Sequence, residues 1–136
     1  MKFLSITLFS LFLNMNIGSA HDGGYHTPNV CTLNQSCAHL KFEEYPTTKK
    51  MSSFLIHILP SDKTSIVQIL SAKLWMDMGN GHGHGSAPLN IRANEEDNHF
   101  DVSNAWFVMP GSWQVMIKFN ENGLEQEIII PLSINE

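Results

Sequence analysis

The sequence predicts an all-β domain, folded as a two-sheet antiparallel sandwich of about seven strands. Short segments alternate apolar and polar residues at a period of two, which is the pattern of a strand with one buried face. Turn residues separate these segments roughly every ten residues, a spacing typical of sandwiches. No segment between them has the length of a crossover helix, so a parallel α/β sheet is not expected.

The predicted strands follow one another from residue 38 to residue 132. They are residues 38–42, 51–59, 66–76, 87–93, 100–109, 112–119 and 124–132. The clearest is 112–119, in which Trp113 begins a run of alternating apolar residues that is expected to face inward. Pro110-Gly111 and Asn122-Gly123 predict the turns on either side of it, and Asn-Gly is typical of a hairpin.

Segment 66–76 has a pattern that fits either a strand or a helix. Ile66, Ile69 and Leu70 also match helical spacing. We favour a strand, because the neighbouring segments are strand-like and Gly79 follows closely. The period of two then places one set of side chains on the same side: Ile66, Leu70, Ala72, Leu74 and Met76.

Residues 1–20 have the features of a secretory signal peptide. Lys2 provides the positive charge, residues 3–13 are mostly apolar, and Gly18-Ser19-Ala20 supplies small residues before the expected cleavage site. An uncleaved N-terminal anchor is the alternative, although the apolar run is short for a membrane span. We therefore expect an exported protein, periplasmic or extracellular, with no integral membrane segment after cleavage.

The net charge of the chain limits the classes of partner. It is −5, and removal of Lys2 with the signal peptide makes it −6. An acidic chain without a basic patch does not favour nucleic acid or an anionic membrane surface. We therefore expect no nucleic-acid partner, whereas a metal cation is compatible with this charge.

Residues 21–37 predict an irregular N-terminal arm before a domain that spans residues 38–136. The arm contains glycine, proline and polar residues without a hydrophobic period. Cys31 and Cys37 are the two cysteines of the chain, and in an oxidising compartment we expect them to form a disulfide. The alternative is a pair of thiolate metal ligands, but their spacing is not that of a zinc finger.

The segment after the third predicted strand carries the donors of a candidate metal site. Met78 leads into a glycine-rich loop with His82 and His84, and Met109 precedes the Pro-Gly turn. Thioether sulfur and imidazole nitrogen suit Cu(I), or a site that tolerates both Cu(I) and Cu(II). We predict copper bound by Met78, His82, His84 and Met109, with Met76 less favoured because methionine often fills cores. Solvated histidines and packed methionines are the alternative.

The chain end created by cleavage is a separate candidate. Cleavage after Ala20 would give His21 a free α-amine beside its imidazole, and these two nitrogens can chelate one copper ion. His26 and His39 are available to complete the ligand set. This arrangement suggests a third class of function, an N-terminal-histidine copper oxidase.

The remaining conspicuous residues have structural interpretations. We expect His57 to be a packed or solvated strand residue and His99 to lie on the surface. Three tryptophans are expected in the core: Trp75, Trp106 and Trp113. The sequence has no Gly-x-Ser-x-Gly elbow, phosphate loop or His-Glu-x-x-His motif, so we do not expect an enzyme.

Two motifs resemble those of a known family. Trp75-Met76-Asp77-Met78 precedes a Gly-His-Gly-His-Gly run, and Met109-Pro110-Gly111-Ser112-Trp113 follows later. On these motifs, within residues 50–133, the chain resembles the YtkA-like family and the related FixH proteins. The resemblance implies an immunoglobulin-like sandwich and a link to copper, through cytochrome oxidase assembly or copper handling. It does not cover the N-terminal arm.

The combined prediction is an exported copper-binding protein that acts in copper handling or delivery, as a metallochaperone does. Its expected partners are the metal ion and a cuproprotein or another envelope protein. The alternative is a protein-interaction module of the cell envelope that binds no metal and uses the glycine–histidine loop as its contact surface.

Overall fold

A computed structural model describes residues 23–136, which form ten β-strands and no helix. In chain order the strands are β1 (Tyr25–His26), β2 (Val30–Cys31), β3 (Cys37–Phe42), β4 (Ser52–Leu59), β5 (Val67–Gly79), β6 (His82–Gly85), β7 (Asn90–Ala93), β8 (His99–Ala105), β9 (Gly111–Glu121) and β10 (Leu124–Ile134). The predicted signal peptide and His21 lie outside the described residues. Within residues 23–136 there is no helix of the length and apolarity that a membrane span requires.

The strands form two antiparallel sheets, which confirms the predicted all-β, two-sheet architecture. The six-stranded sheet has the order β1-β3-β4-β8-β7, with β2 also paired to β3. The four-stranded sheet has the order β10-β9-β5-β6. The predicted count of seven is too low by three short strands: β1 and β2 in the arm, and β6 in the glycine–histidine segment.

The core is formed by alternate residues of the strands of both sheets. Every second residue of β10 is buried from Gln126 to Ile134, and the same holds for β3 from Ala38 to Phe42. Trp113 in β9 is fully buried, which confirms its predicted inward face. Burial of one large apolar side chain stabilises a fold by roughly 1.5–3 kcal/mol, so the shared core holds the two sheets together.

The inward face of β5 changes at a β-bulge. Segment 66–76 is a strand, as predicted, but the register of β5 with β9 shifts between Ile69 and Ser71. Val67 is therefore buried at the start of the strand, whereas Ile66 is exposed. The extra residue at the bulge moves the following side chains to the opposite face, and Leu74 is again buried. The prediction that Ile66 and Leu70 share a side with Leu74 is wrong for this reason, because both side chains are exposed whereas Leu74 is buried.

The N-terminal arm is attached to the domain by a disulfide and by a buried polar network. Cys31 and Cys37 are directly opposite in β2 and β3 and form the expected disulfide. Ser36, which precedes β3, donates a hydrogen bond to the carboxylate of Glu121 at the end of β9. The Ser61 amide and the Gln126 side chain also donate to this buried carboxylate, at 3.0 and 3.1 Å.

The protonation of Glu121 follows from these contacts. Burial alone would raise the pKa of this carboxyl, but the hydrogen bonds from Ser36, Ser61 and Gln126 outweigh burial and hold the pKa below its usual value. The carboxylate is therefore ionised at neutral pH, and it accepts donors from the arm, the β4–β5 connection and β10.

Candidate functional site

The predicted glycine-rich loop is a β-hairpin rather than a flexible loop. Gly79 pairs with His82, so a two-residue turn joins β5 to β6. The turn residues Asn80 and Gly81 both have positive φ, 51° and 74°, as a type I′ hairpin requires. The two histidines of the segment therefore lie on a short edge strand with defined register.

Gly83 has a packing role in this hairpin. A Cβ atom at this position would lie 2.4 Å from ring carbons of Trp75, so the indole occupies the space that a side chain would need. The glycine is thus explained by contact with a half-buried tryptophan instead of by chain flexibility. By alternation, His82 and His84 are on the opposite face of β6 from this contact.

A row of paired residues crosses the four-stranded sheet near this hairpin. His84 of β6 is directly opposite Met76 of β5, and Met76 is opposite Trp113 of β9. Directly opposite residues in antiparallel strands share a face, so His84 is on the inner-face side with Met76. The methionine is almost fully buried, whereas the histidine is exposed because β6 is the edge strand.

Met109 is held close to the same row. Its carbonyl oxygen accepts a hydrogen bond from the indole Nε1 of Trp113 at 2.9 Å, and its half-buried side chain packs against the core. Ser86, which follows β6, donates a hydrogen bond to the carbonyl of Trp106 at 2.6 Å. These two bonds place the end of β6 and the segment 106–110 at one edge of the sandwich. We call this edge, with Met76, His84 and Met109, the methionine–histidine rim.

The hairpin tip contributes the other two predicted donors. Met78 lies where the register of β5 with β6 shifts, and its side chain is 54% exposed. His82 is also exposed. Asp77 accepts a hydrogen bond from the amide of Gly79 at 2.9 Å and so closes the turn. The tip donors are therefore beside the rim but separate from its packed part.

The packing interpretation of Met76 agrees with its surroundings. Its terminal methyl carbon lies 2.6 Å from the position that a Cβ on Gly111 would occupy. Gly111 also has a φ of 135°, so a glycine is required there on both counts. Met76 thus fills the space between Gly111 and Trp113, and it is the most buried of the predicted ligand residues.

A second cluster, which sequence reasoning missed, lies on the other sheet. Four imidazoles follow one another across four strands on the outward-facing side of the six-stranded sheet: His26, His39, His57 and His99. His39, His57 and His99 are direct register partners in β3, β4 and β8. We call these four residues the histidine row.

The ring contacts within the histidine row are close. The ring centroids are 5.9 Å apart for His26 and His39, and 5.0 Å apart for His39 and His57. His57 and His99 are stacked, with centroids 3.9 Å apart and an interplanar angle of 15°. The residues are far apart in sequence, and His57 and His99 were expected to be ordinary strand or surface residues. Only the register brings them together.

Hydrogen bonds orient two of these rings. The Nδ1 atom of His39 is 3.0 Å from the side-chain oxygen of Asn29, and that of His99 is 2.9 Å from the backbone oxygen of Asp97. Because both partners are acceptors, Nδ1 carries the proton in each ring. The Nε2 atom of His39, whose pKa is lowered by burial, then has a lone pair available to a metal. In His99 this atom is 3.5 Å from a carboxylate oxygen of Glu96.

The row disfavours protonation at its centre. Burial lowers the pKa of His57 to about 4, and the neighbouring His99 and His39 act in the same direction, while Glu96 opposes them. Burial also lowers the pKa of His39, with additional contributions from His26 and His99. Both rings are therefore neutral at neutral pH, which is the form of imidazole that binds metals.

An open cavity of about 670 Å³ lies beside the histidine row on the six-stranded sheet. Its lining includes charged side chains of both signs, among them Lys41, Arg92 and Asp101. The Asn94 amide donates to both carboxylate oxygens of Asp101, at 3.1 and 3.2 Å. The lining therefore gives no net electrostatic preference for an anionic or a cationic ligand.

The remaining metal candidates are limited by the structure. Cys31 and Cys37 are bonded to each other, so they do not form the thiolate pair that was the alternative to a disulfide. The predicted chelate of His21 lies outside the described residues. Within residues 23–136, no three His, Cys, Asp or Glu side chains are already arranged around one metal position. A site at the rim would therefore depend on thioether sulfur together with imidazole.

The chain matches no family model, and neither a curated protein nor a solved structure is significantly similar to it. The candidate function therefore rests on the residues and their geometry.

Proposed function

We propose that the protein is an exported copper-binding protein that acts in copper handling or delivery. The proposed site is the methionine–histidine rim, with His84 and Met109 as the main ligands. Met78 and His82 supply further donors from the hairpin tip, and Met76 forms the inner wall. The observation that carries the proposal is the register that sets His84 opposite Met76, together with the Met109–Trp113 hydrogen bond beside them.

The donor set selects the metal. Thioether and imidazole ligands suit copper, and thioethers favour Cu(I) in particular. Zinc is less suited, since methionine is not among its usual ligands. The resemblance of the two motifs to YtkA-like and FixH proteins supports the same proposal, including an extracytoplasmic location and an immunoglobulin-like sandwich.

Exposure of the donors supports delivery as well as binding. His82, His84 and Met78 are exposed, so a partner can approach the ion without the domain unfolding. Trp106 and Val108, in the segment that carries Met109, are also exposed, by 42% and 58%. Large apolar side chains on a surface often mark a protein contact, and these would face a cuproprotein or another envelope protein.

The same exposed side chains support the alternative function. An interaction module of the cell envelope without a metal would use Met78, Trp106 and Val108 as its contact surface, with the hairpin as a rigid edge. This alternative differs from the first in one testable respect, since its partner binding does not depend on copper.

A titration of the purified protein with Cu(I) and Cu(II), in competition with a chromophoric chelator, tests the proposal. The variant carries His84→Ala and Met109→Leu. The control is Met116→Leu, which removes a half-buried thioether from β9, outside the rim. We expect the double variant to lose at least about tenfold in Cu(I) affinity, or about 1.4 kcal/mol, while the control binds as the wild type does. Equal affinity in all three proteins would reject the rim as the copper site.

A further inference from the structure

We infer that the histidine row is a separate binding site for a divalent transition-metal ion such as Zn(II). The Nε2 atoms of His39, His57 and His99 are the proposed ligands of this ion. His26, next to His39 at the end of the row, is available as a fourth ligand. The inference does not depend on the proposed copper function, because it uses other residues, another sheet and another donor chemistry.

The first argument is the arrangement of the imidazoles. Four of the seven histidines in the chain lie in this one row, each contributed by a different strand. The outward face of a strand accepts almost any polar side chain, so packing alone does not require histidine at each position. Neutral imidazole is a preferred ligand of zinc and of Cu(II), and three of them can complete most of a tetrahedral site.

The second argument is the distance between the rings. With metal–nitrogen bonds of about 2.0–2.1 Å, two imidazoles on one ion at tetrahedral or square-planar angles have ring centroids about 4.5–5.2 Å apart. His39 and His57 already meet this requirement, at 5.0 Å and nearly perpendicular planes. The stacked pair His57 and His99, at 3.9 Å, would need to open by roughly 1 Å, and His39 and His99, which lie two strands apart, would both need to turn towards the centre of the row.

The stacking of His57 and His99 explains why the rings do not yet converge on one point. Stacked rings direct their lone pairs side by side, and a common ion requires one ring to turn. His57 and His99 are only partly buried, so a rotation about their side-chain bonds does not disturb the core. Metal binding would replace the stacking contact between His57 and His99 by one coordination bond to each ring.

The third argument is the state of the ring nitrogens. A metal-bound histidine almost always donates its other N–H to an oxygen, which fixes the ring and its tautomer. His39 does so to Asn29 and His99 to the Asp97 carbonyl, so both rings are already held through Nδ1 with Nε2 on the other side of the ring.

The charged groups around the row are mixed in sign. Glu96, near His99, offers a carboxylate that would offset part of the dication charge. Lys41 of β3, the register partner of His26, places a cation near the other end of the row. The ion is therefore expected at the centre of the row, around His57 and between His39 and His99, away from Lys41.

The experiment is a Zn(II) titration followed by calorimetry and by histidine NMR. All proteins carry His82→Ala and His84→Ala, so that the hairpin tip does not contribute. Zinc is the probe because the thioethers of the rim are poor ligands for it. His57→Ala removes the central ligand, and His99→Ala tests the stacked pair. Circular dichroism on each variant verifies that the β fold is retained.

The expected result is one bound Zn(II) per chain in the parent protein, with affinity reduced at least tenfold by His57→Ala and by His99→Ala. The ring signals of His39, His57 and His99 should shift together on zinc addition. Absence of zinc binding in the parent, or equal binding after His57→Ala, would overturn the inference. Zinc bound only by the N-terminal residues would still bind to both variants, and that result would also overturn the inference. A failure here leaves the copper proposal intact, because that site is tested on His84 and Met109.

Discussion

The protonation of His57 should make the domain less stable as the pH falls. Its pKa is about 4 in the folded protein, against an ordinary value of 6.5. The folded state therefore binds fewer protons than the unfolded state between these values. A depressed histidine pKa gives stability that is present above pH 6.5 and is lost as the pH falls from 6.5 towards 4.

The size of the effect follows from the difference between the two pKa values. Each unit corresponds to about 1.4 kcal/mol, so the full difference sets an upper limit of roughly 3 kcal/mol. The ring of His57 is only partly buried, and solvent screening reduces the effect to about 1–2 kcal/mol. His39, whose pKa is also lowered, adds to the loss in the same direction.

The assay is urea unfolding of the wild type and of His57→Gln at several values between pH 7.5 and pH 4.5. Glutamine keeps a polar side chain and does not titrate. We expect the wild type to lose about 1 kcal/mol or more over this range and the variant to lose clearly less. His82→Gln, at the exposed hairpin tip, is the control and should follow the wild type. Identical pH dependence of the wild type and His57→Gln would refute the reasoning.

Two further predictions concern packing and buried polarity. Gly83→Ala should lower the free energy of unfolding by about 1–3 kcal/mol, because the new methyl group would collide with Trp75. Gly85→Ala is the control and should be nearly neutral, since a Cβ there has no neighbour closer than 4.0 Å. Chemical denaturation compares the two variants. Glu121→Gln should destabilise by about 1–3 kcal/mol, since an amide cannot accept all the donors that surround this carboxylate. Glu125→Gln on the exposed side of β10 is its control, and an equal effect of the two changes in thermal unfolding would contradict the role of the network.

The sequence was sufficient to predict the fold class and most strands. The period of two identified each long strand, and Asn122-Gly123 correctly predicted the β9–β10 hairpin. It could not locate the bulge at Leu70, because one inserted residue changes the face without interrupting the apolar pattern. Trp106, expected in the core, is exposed, since it follows the end of β8 and alternation no longer determines its side.

The candidate sites were predictable to different degrees. Soft donors at Met78, His82, His84 and Met109 are visible in the sequence. The glycines around the two histidines, however, predicted a loop where the structure has strand β6. Gly83 is compatible with a strand because Trp75 covers it, a contact that only the three-dimensional packing shows. The histidine row depends entirely on strand register, which no short-range pattern in the sequence specifies.

X-ray absorption spectroscopy at the copper edge of the protein loaded with one equivalent of Cu(I) tests the central proposal most directly. Copper at the methionine–histidine rim predicts sulfur and imidazole nitrogen in the same coordination shell, with the sulfur contribution reduced by Met109→Leu. A shell of nitrogen alone would place the ion at histidines elsewhere, and the account of the rim as a copper site would then be wrong.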